Sequence, residues 1–156
     1  FVLKAQIQLL STRVIRCLGQ LFENFQALRR QNLRLTPQRL EIFKELAQAS
    51  DHPSAEQLYL RLHDKMPTLS LDTIYRTLST FVQYGLVHRV ETVESQARFE
   101  VAHARHHHLI CRRCKKIMDF DWAPVDQLDL PPEVQQWGEV YSKNVVIYGV
   151  CKECLT

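Results

Sequence analysis

Between residues 36 and 85 apolar side chains recur every three or four positions in three separate runs, and each run carries its own start signal. Thr36 can cap a first helix whose opening residue is Pro37, where a missing N–H costs nothing. Leu40, Phe43, Leu46 and Ala47 give that helix its apolar face. Ser54 opens a second helix, Gln57 completes a capping box three residues on, and Leu58, Leu62 and Met66 line its inner side. Ser70 caps the third, over 71–84, with Ile74, Leu78, Phe81 and Val82 expected inside and Gly85 as the left-handed stop.

The period then falls to two. Leu86–Val90 and Ala97–Val101 read as short strands bridged by the polar segment Glu91–Gln96, so three helices and a hairpin predict a winged helix-turn-helix. The remainder reads β-β-α-β: strands at His106–Cys111 and Ile117–Phe120, a helix around Val125–Trp137, and a strand at Val145–Val150. Pro131-Pro132 interrupts that helix, which must be short or start at Pro132. The class is α+β, a winged-helix domain followed by a small α/β domain. Ahead of both, Leu3, Ile7, Leu10, Val14, Cys17, Leu21 and Leu28 form a heptad-like seam broken at Asn24. It fits an amphipathic helix laid on its own domain or a dimer-contact helix.

Charge divides the chain as the periodicity does. Residues 1–90 hold 12 Lys/Arg against 7 Asp/Glu and residues 91–156 hold 8 against 10, so the net +3 is a basic front half on a mildly acidic back half. Lys4, Arg13 and Arg16 interrupt the apolar start, which cannot span a membrane, and no signal-peptide pattern is present. A reduced, cytoplasmic protein is expected, with zinc in place of disulfides.

The chemistry of the back half is dominated by two Cys-x-x-Cys pairs, Cys111/Cys114 and Cys151/Cys154, separated by 36 residues. Two such turns complete a tetrahedron of soft ligands with no vacant position, which is how a structural Zn²⁺ is built. The closed shell argues against an enzyme. Zinc deaminases also set a Cys pair behind a His, but they need a His-x-Glu pair that this chain lacks and an open metal position. Just before the first pair stands His106-His107-His108; on a strand, His106 and His108 share one face and His107 takes the other.

On the third helix, Thr73, Arg76, Thr77 and Thr80 share a second face. Arg can fork onto a guanine edge, and Tyr75 can pack on a thymine methyl or donate to a phosphate. Ser70 at the helix start, with Arg34 and Arg39 beside the first helix, suits phosphate oxygens. Double-stranded DNA is the partner this pattern predicts. A zinc-stabilised protein-interaction module is the alternative from another class.

Leu35-Thr36-Pro37-Gln38-Arg39, His52-Pro53-Ser54-Ala55-Glu56 and Thr73-Ile74-Tyr75-Arg76-Thr77-Leu78 resemble successive motifs of the ferric uptake regulator family. The likeness continues through Arg98-Phe99-Glu100, His106-x-His108-x-x-Cys111-x-x-Cys114 and Tyr148-Gly149-x-Cys151-x-x-Cys154, covering about residues 21–156. The resemblance implies a dimeric, metal-dependent repressor of palindromic operators, with Tyr75 and Arg76 on DNA. It implies an extension at 1–20, a DNA-binding domain at 21–92, a hinge at 93–103 and a dimerisation domain at 104–156.

The same resemblance assigns a regulatory metal, Fe²⁺ or Mn²⁺ with Zn²⁺ also accepted, to His52, Glu100, His106, His108 and Asp119. A further site found in many relatives falls on Arg105, His107, Asp126 and Lys143, whose two cations would repel a divalent ion, so that site is expected to be absent. This pattern looks most like the peroxide-responsive repressor branch, in which Fe²⁺ and peroxide oxidise a ligand histidine. Glu100 stands where that branch usually has Asp, and its longer arm changes the metal geometry. The alternative within the family is an iron-responsive or zinc-responsive repressor of metal uptake.

Overall fold

The computed structural model describes residues 34–90, 92, 96–102 and 106–155. The seam at 3–28 with Cys17, the extension at 1–20, Arg105, and residues 93–95 and 103 of the segment 93–103 lie outside the described residues. The chain forms two compact units, divided between residues 103 and 104.

In the first unit, α1 (Pro37–Gln48) starts at Thr36, whose side chain accepts from the Arg39 N–H at 3.3 Å. The capping box of α2 (Ala55–His63) is complete: Gln57 N–H reaches Ser54 Oγ at 3.3 Å and Ser54 N–H reaches Gln57 Oε1 at 2.9 Å. α3 (Leu71–Gln83) is capped by Ser70. It ends at Gly85, with φ of 68°, through bonds from Gly85 N–H to Val82 O (3.0 Å) and Leu86 N–H to Phe81 O (2.9 Å). The inward stripes meet in one core of Ile42, Phe43, Leu46, Leu58, Leu62, Ile74, Leu78 and Phe81. At its centre the Phe43 and Phe81 rings meet edge to face, 5.7 Å apart. β1 (Val87–Val90) and β2 (Arg98–Val101) pair antiparallel with Val87 opposite Val101, and Val87, Phe99 and Val101 close the core from the side.

Two positions of α3 differ from expectation. Val82 is 37% exposed, whereas Thr77 is 3% exposed and lies inside. At about 100° per residue the core stripe is 74, 77, 78 and 81; Val82 sits a flank away from its centre, and Thr77 falls beside Ile74.

The second unit is a three-stranded sheet in the order β4-β3-β5. β3 (His107–Cys111) runs antiparallel to β4 (Ile117–Phe120), with His108 opposite Asp119, and parallel to β5 (Val146–Gly149), with His108 opposite Val146. The single helix expected around Val125–Trp137 is two short ones, α4 (Ala123–Gln127) and α5 (Pro132–Trp137). Pro131 takes an extended ψ of 151° because Pro132 follows it, and the break falls there. A last turn, α6 (Lys152–Leu155), was not anticipated.

Candidate metal centres and DNA-reading helix

The two Cys-x-x-Cys turns are brought together by the parallel pairing of β3 and β5. Cys111 ends β3 and Cys151 follows β5, and the ladder runs on through Arg112 N–H to Gly149 O at 2.8 Å. Lys115, with φ of 65°, closes the first turn. The four sulfurs are unbridged thiols lying within 4.8 Å of one another, with Cys114 and Cys151 at 3.6 Å. Sulfurs at about 2.3 Å from a tetrahedral zinc stand about 3.8 Å apart, so this cluster fits a zinc site. Backbone N–H groups of Cys151 and Cys114 pull the Cys111 thiol down to about 6, while the Cys151 and Cys114 thiols push Cys154 up to about 12. Four such sulfurs ionise together only around a cation.

In the first unit His52 is 3% exposed and takes a left-handed φ of 49°, a conformation uncommon outside glycine. Its Nε2 lies 3.0 Å from Glu100 Oε2. Two further bonds stitch the turn to β2, Phe99 N–H to Pro53 O at 3.1 Å and Arg98 Nη1 to His52 O at 3.3 Å, and Arg98 Nη1 also reaches Gln57 Oε1 on α2 at 2.8 Å. The imidazole and carboxylate are therefore held close in a buried setting.

In the second unit His106 and His108 turn their Nε2 atoms to within 3.1 Å of each other, and Asp119 Oδ1 lies 3.9 and 3.7 Å from them. Two imidazole nitrogens this close share at most one proton, so at least one offers a lone pair. Each half is a donor set of the nitrogen and carboxylate type that suits Fe²⁺, Mn²⁺ or Zn²⁺.

His107 faces the other side of the sheet and is fully buried. Its Nδ1 accepts from the Val145 N–H at 3.1 Å, which puts the ring proton on Nε2, aimed at Asp126 Oδ1 3.6 Å away. In that tautomer Nε2 is a donor and offers no lone pair. Lys143 Nζ donates to the Leu128 carbonyl.

Of the residues expected on DNA, Arg34, Ser70, Tyr75 and Arg76 are exposed and Arg39, Thr73 and Thr80 are half-buried, several with polar atoms already engaged. Arg34 is exposed and its carbonyl accepts from Arg39 Nη1 at 2.7 Å. Ser70 Oγ is spent on capping and on Thr73 Oγ1 at 2.9 Å, and Thr80 Oγ1 donates to the Arg76 carbonyl at 2.8 Å. Arg76 is exposed and pairs through Nε with Asp72 at 2.9 Å. Tyr75 is exposed and donates its hydroxyl proton to Glu56 on α2. Sequence reasoning missed Glu56, Asp72 and Arg98. Asp72 was legible as an i, i+4 partner of Arg76, but the other two act only through tertiary contacts.

The sequence profile of the ferric uptake regulator family matches residues 30–143. The chain belongs to the ferric uptake regulator family. The matched span holds the first cysteine pair and all five His/carboxylate positions; Cys151 and Cys154 lie beyond it. The chain is 36% identical over 135 residues to the peroxide-responsive repressor PerR of Staphylococcus epidermidis, covering 86% of this chain and 90% of that one. It is 30% identical to the ferric uptake regulator of Pseudomonas aeruginosa solved with manganese, with a TM-score of 0.66 over 83% of this chain and 98% of that one. The Helicobacter pylori regulator, described as having three functional metal-binding sites, shares the fold at a TM-score of 0.69 and 24% identity, over 92% of this chain and 94% of that one. Among the described residues of this family member, no helix is long and apolar enough to cross a membrane.

Proposed function

We propose that this chain is a cytoplasmic, homodimeric, metal-dependent repressor that binds palindromic operators and senses peroxide. One divalent ion, Fe²⁺ or Mn²⁺, would take His52 and Glu100 from the first unit and His106, His108 and Asp119 from the second. Segment 93–103 would act as the hinge between them. The bound form would fix the angle between the DNA-binding and dimerisation domains, and with it the spacing of paired α3 helices. The observation that carries this reading is that each half-set is already assembled within its own unit, with donor atoms 3.0 Å apart in one and 3.1 Å apart in the other.

His52, Glu100, His106, His108 and Asp119 would hold the ion, and Fe²⁺ in that place would supply one-electron reducing chemistry toward peroxide. This chain's part is to keep those imidazoles buried and aimed, so that an oxygen added to one of them removes a ligand. The peroxide-responsive relatives at 34–36% identity favour this branch. A homodimer is supported by the exposed aromatics of the second unit, with Trp137 81% and Tyr141 79% exposed. The closed cysteine shell is taken as structural and non-catalytic.

The test is mass spectrometry after mild peroxide treatment of the protein loaded with Fe²⁺ or Mn²⁺. One added oxygen on the peptide holding His52 or His106, with Fe²⁺ alone, is expected. An iron-responsive repressor is the second reading, favoured by Glu100 in place of the branch's Asp, and it predicts no added oxygen under either metal. Salt-dependent operator binding that is lost in Arg76→Ala separates both from an interaction module.

A further inference from the structure

Tyr75 stands on the outer flank of α3, 43% exposed, with its hydroxyl donating to Oε1 of Glu56 in the first turn of α2. This bond joins two different helices across nineteen residues of chain. The carboxylate sits at a helix N-terminus, where the backbone dipole favours its charge. The shared hydrogen bond lowers the Glu56 pKa and raises that of Tyr75, as expected of an ionised acceptor and a neutral donor.

The consequence concerns what Tyr75 can recognise. A tyrosine that anchors a DNA backbone donates its hydroxyl proton to a phosphate oxygen. Here that proton is already given to a carboxylate, and the carboxylate's charge opposes a phosphate beside it. Asp72, three residues before Tyr75, is paired with Arg76 at 2.9 Å, so the carboxylate that sets the local charge at the Tyr75 hydroxyl is Glu56. What Tyr75 still offers outward is the apolar edge of its ring, which suits the thymine methyl in the major groove.

We propose that Glu56 is a positioning residue that makes Tyr75 a reader of thymine methyl groups and not a phosphate anchor. The inference rests on the reading of α3 as the DNA-facing helix.

The test uses the metal-loaded full chain and 24-base-pair duplexes that it selects from a random pool. Each thymine is replaced in turn by deoxyuridine, which deletes only the methyl group. In the parent protein, one thymine per half-site should show about a 4-fold weakening, the worth of one buried methyl. Glu56→Ala, Tyr75→Phe and the double variant should each bring that ratio close to one, and by the same amount, because all three break the same bond. Glu56→Gln, whose carbonyl oxygen can accept the same proton, should keep the parent's ratio. Thermal melting of each variant checks that the helices remain folded.

Glu56→Ala retaining the parent's thymine preference would overturn the proposal. So would a methylphosphonate substitution whose penalty disappears in Tyr75→Phe, since that puts the hydroxyl on the backbone. A parent protein that selects no sequence over a scrambled duplex would sink the DNA reading itself, before any variant is tested.

Discussion

Removing the zinc should unfold the second unit and leave the first standing. Among the described residues, the aliphatic side chains buried in the second unit are Ile110 and Ile117, at 3% and 4% exposure. At about 1.5–3 kcal/mol each, these two contribute roughly 3–6 kcal/mol. A structural zinc held by four thiolates contributes about 10–16 kcal/mol at neutral pH, so the metal term is the larger. The first unit has its own core around Phe43 and Phe81 and does not draw on the cysteines. The assay is hydrogen exchange read by mass spectrometry, before and after chelation under reducing conditions. Peptides covering β3, β4 and β5 should lose protection almost entirely, while those covering α1, α2 and α3 keep theirs. Cys154→Ser should weaken the same strands, since it deletes one of four ligands on the short α6. Undiminished protection of β3–β5 in the stripped protein would refute the reasoning.

Two further outcomes follow from the first unit. Gly85→Ala should cost about 1 kcal/mol in urea denaturation: a Cβ there meets nothing within 4 Å, so the penalty is the left-handed φ of 68° alone. Asp51→Asn should cost about 0.5 kcal/mol at neutral pH, because its partner Arg61 lies 2.5 Å away but both side chains are part-exposed and screened. The Arg61 guanidinium lowers the Asp51 pKa from its ordinary 3.8. That stability is therefore present above pH 4 and disappears as the pH falls through the depressed folded value, so parent and variant melts should converge in acid.

Much of the first unit was legible because its signals are local. Thr36, Ser54 and Ser70 cap the helices that follow them within three residues, and Gly85 stops α3 by its own backbone freedom. The strand phase that puts His106 and His108 on one face and His107 on the other is likewise a property of a two-residue period. Thr77 and Val82 were misjudged because both are borderline on the helical wheel, and only the neighbours packed against α3 settle which one turns in. The start of α5 at Pro132 was legible in Pro131-Pro132, because a residue that precedes a proline is held out of the helical region; the separate short α4 was not.

The candidate centres divide the same way. The number and type of the cysteine ligands could be read from spacing, since a Cys-x-x-Cys turn orients its own two sulfurs. That the two turns meet depends on the parallel pairing of β3 with β5, an interaction between segments about forty residues apart that no local pattern encodes. His52 is the stronger case: a lone histidine before a proline says little. Its burial, its left-handed backbone and its 3.0 Å approach to Glu100 come from the bonds that tie its turn to β2. Glu56 beside Tyr75 is a third instance, in which a surface acid gained a role from the helix packed next to it. Capping, periodicity and ligand spacing act within a few residues, so the amino-acid order carries them. Ligand convergence and side-chain engagement act across the fold, so only the packed structure decides them.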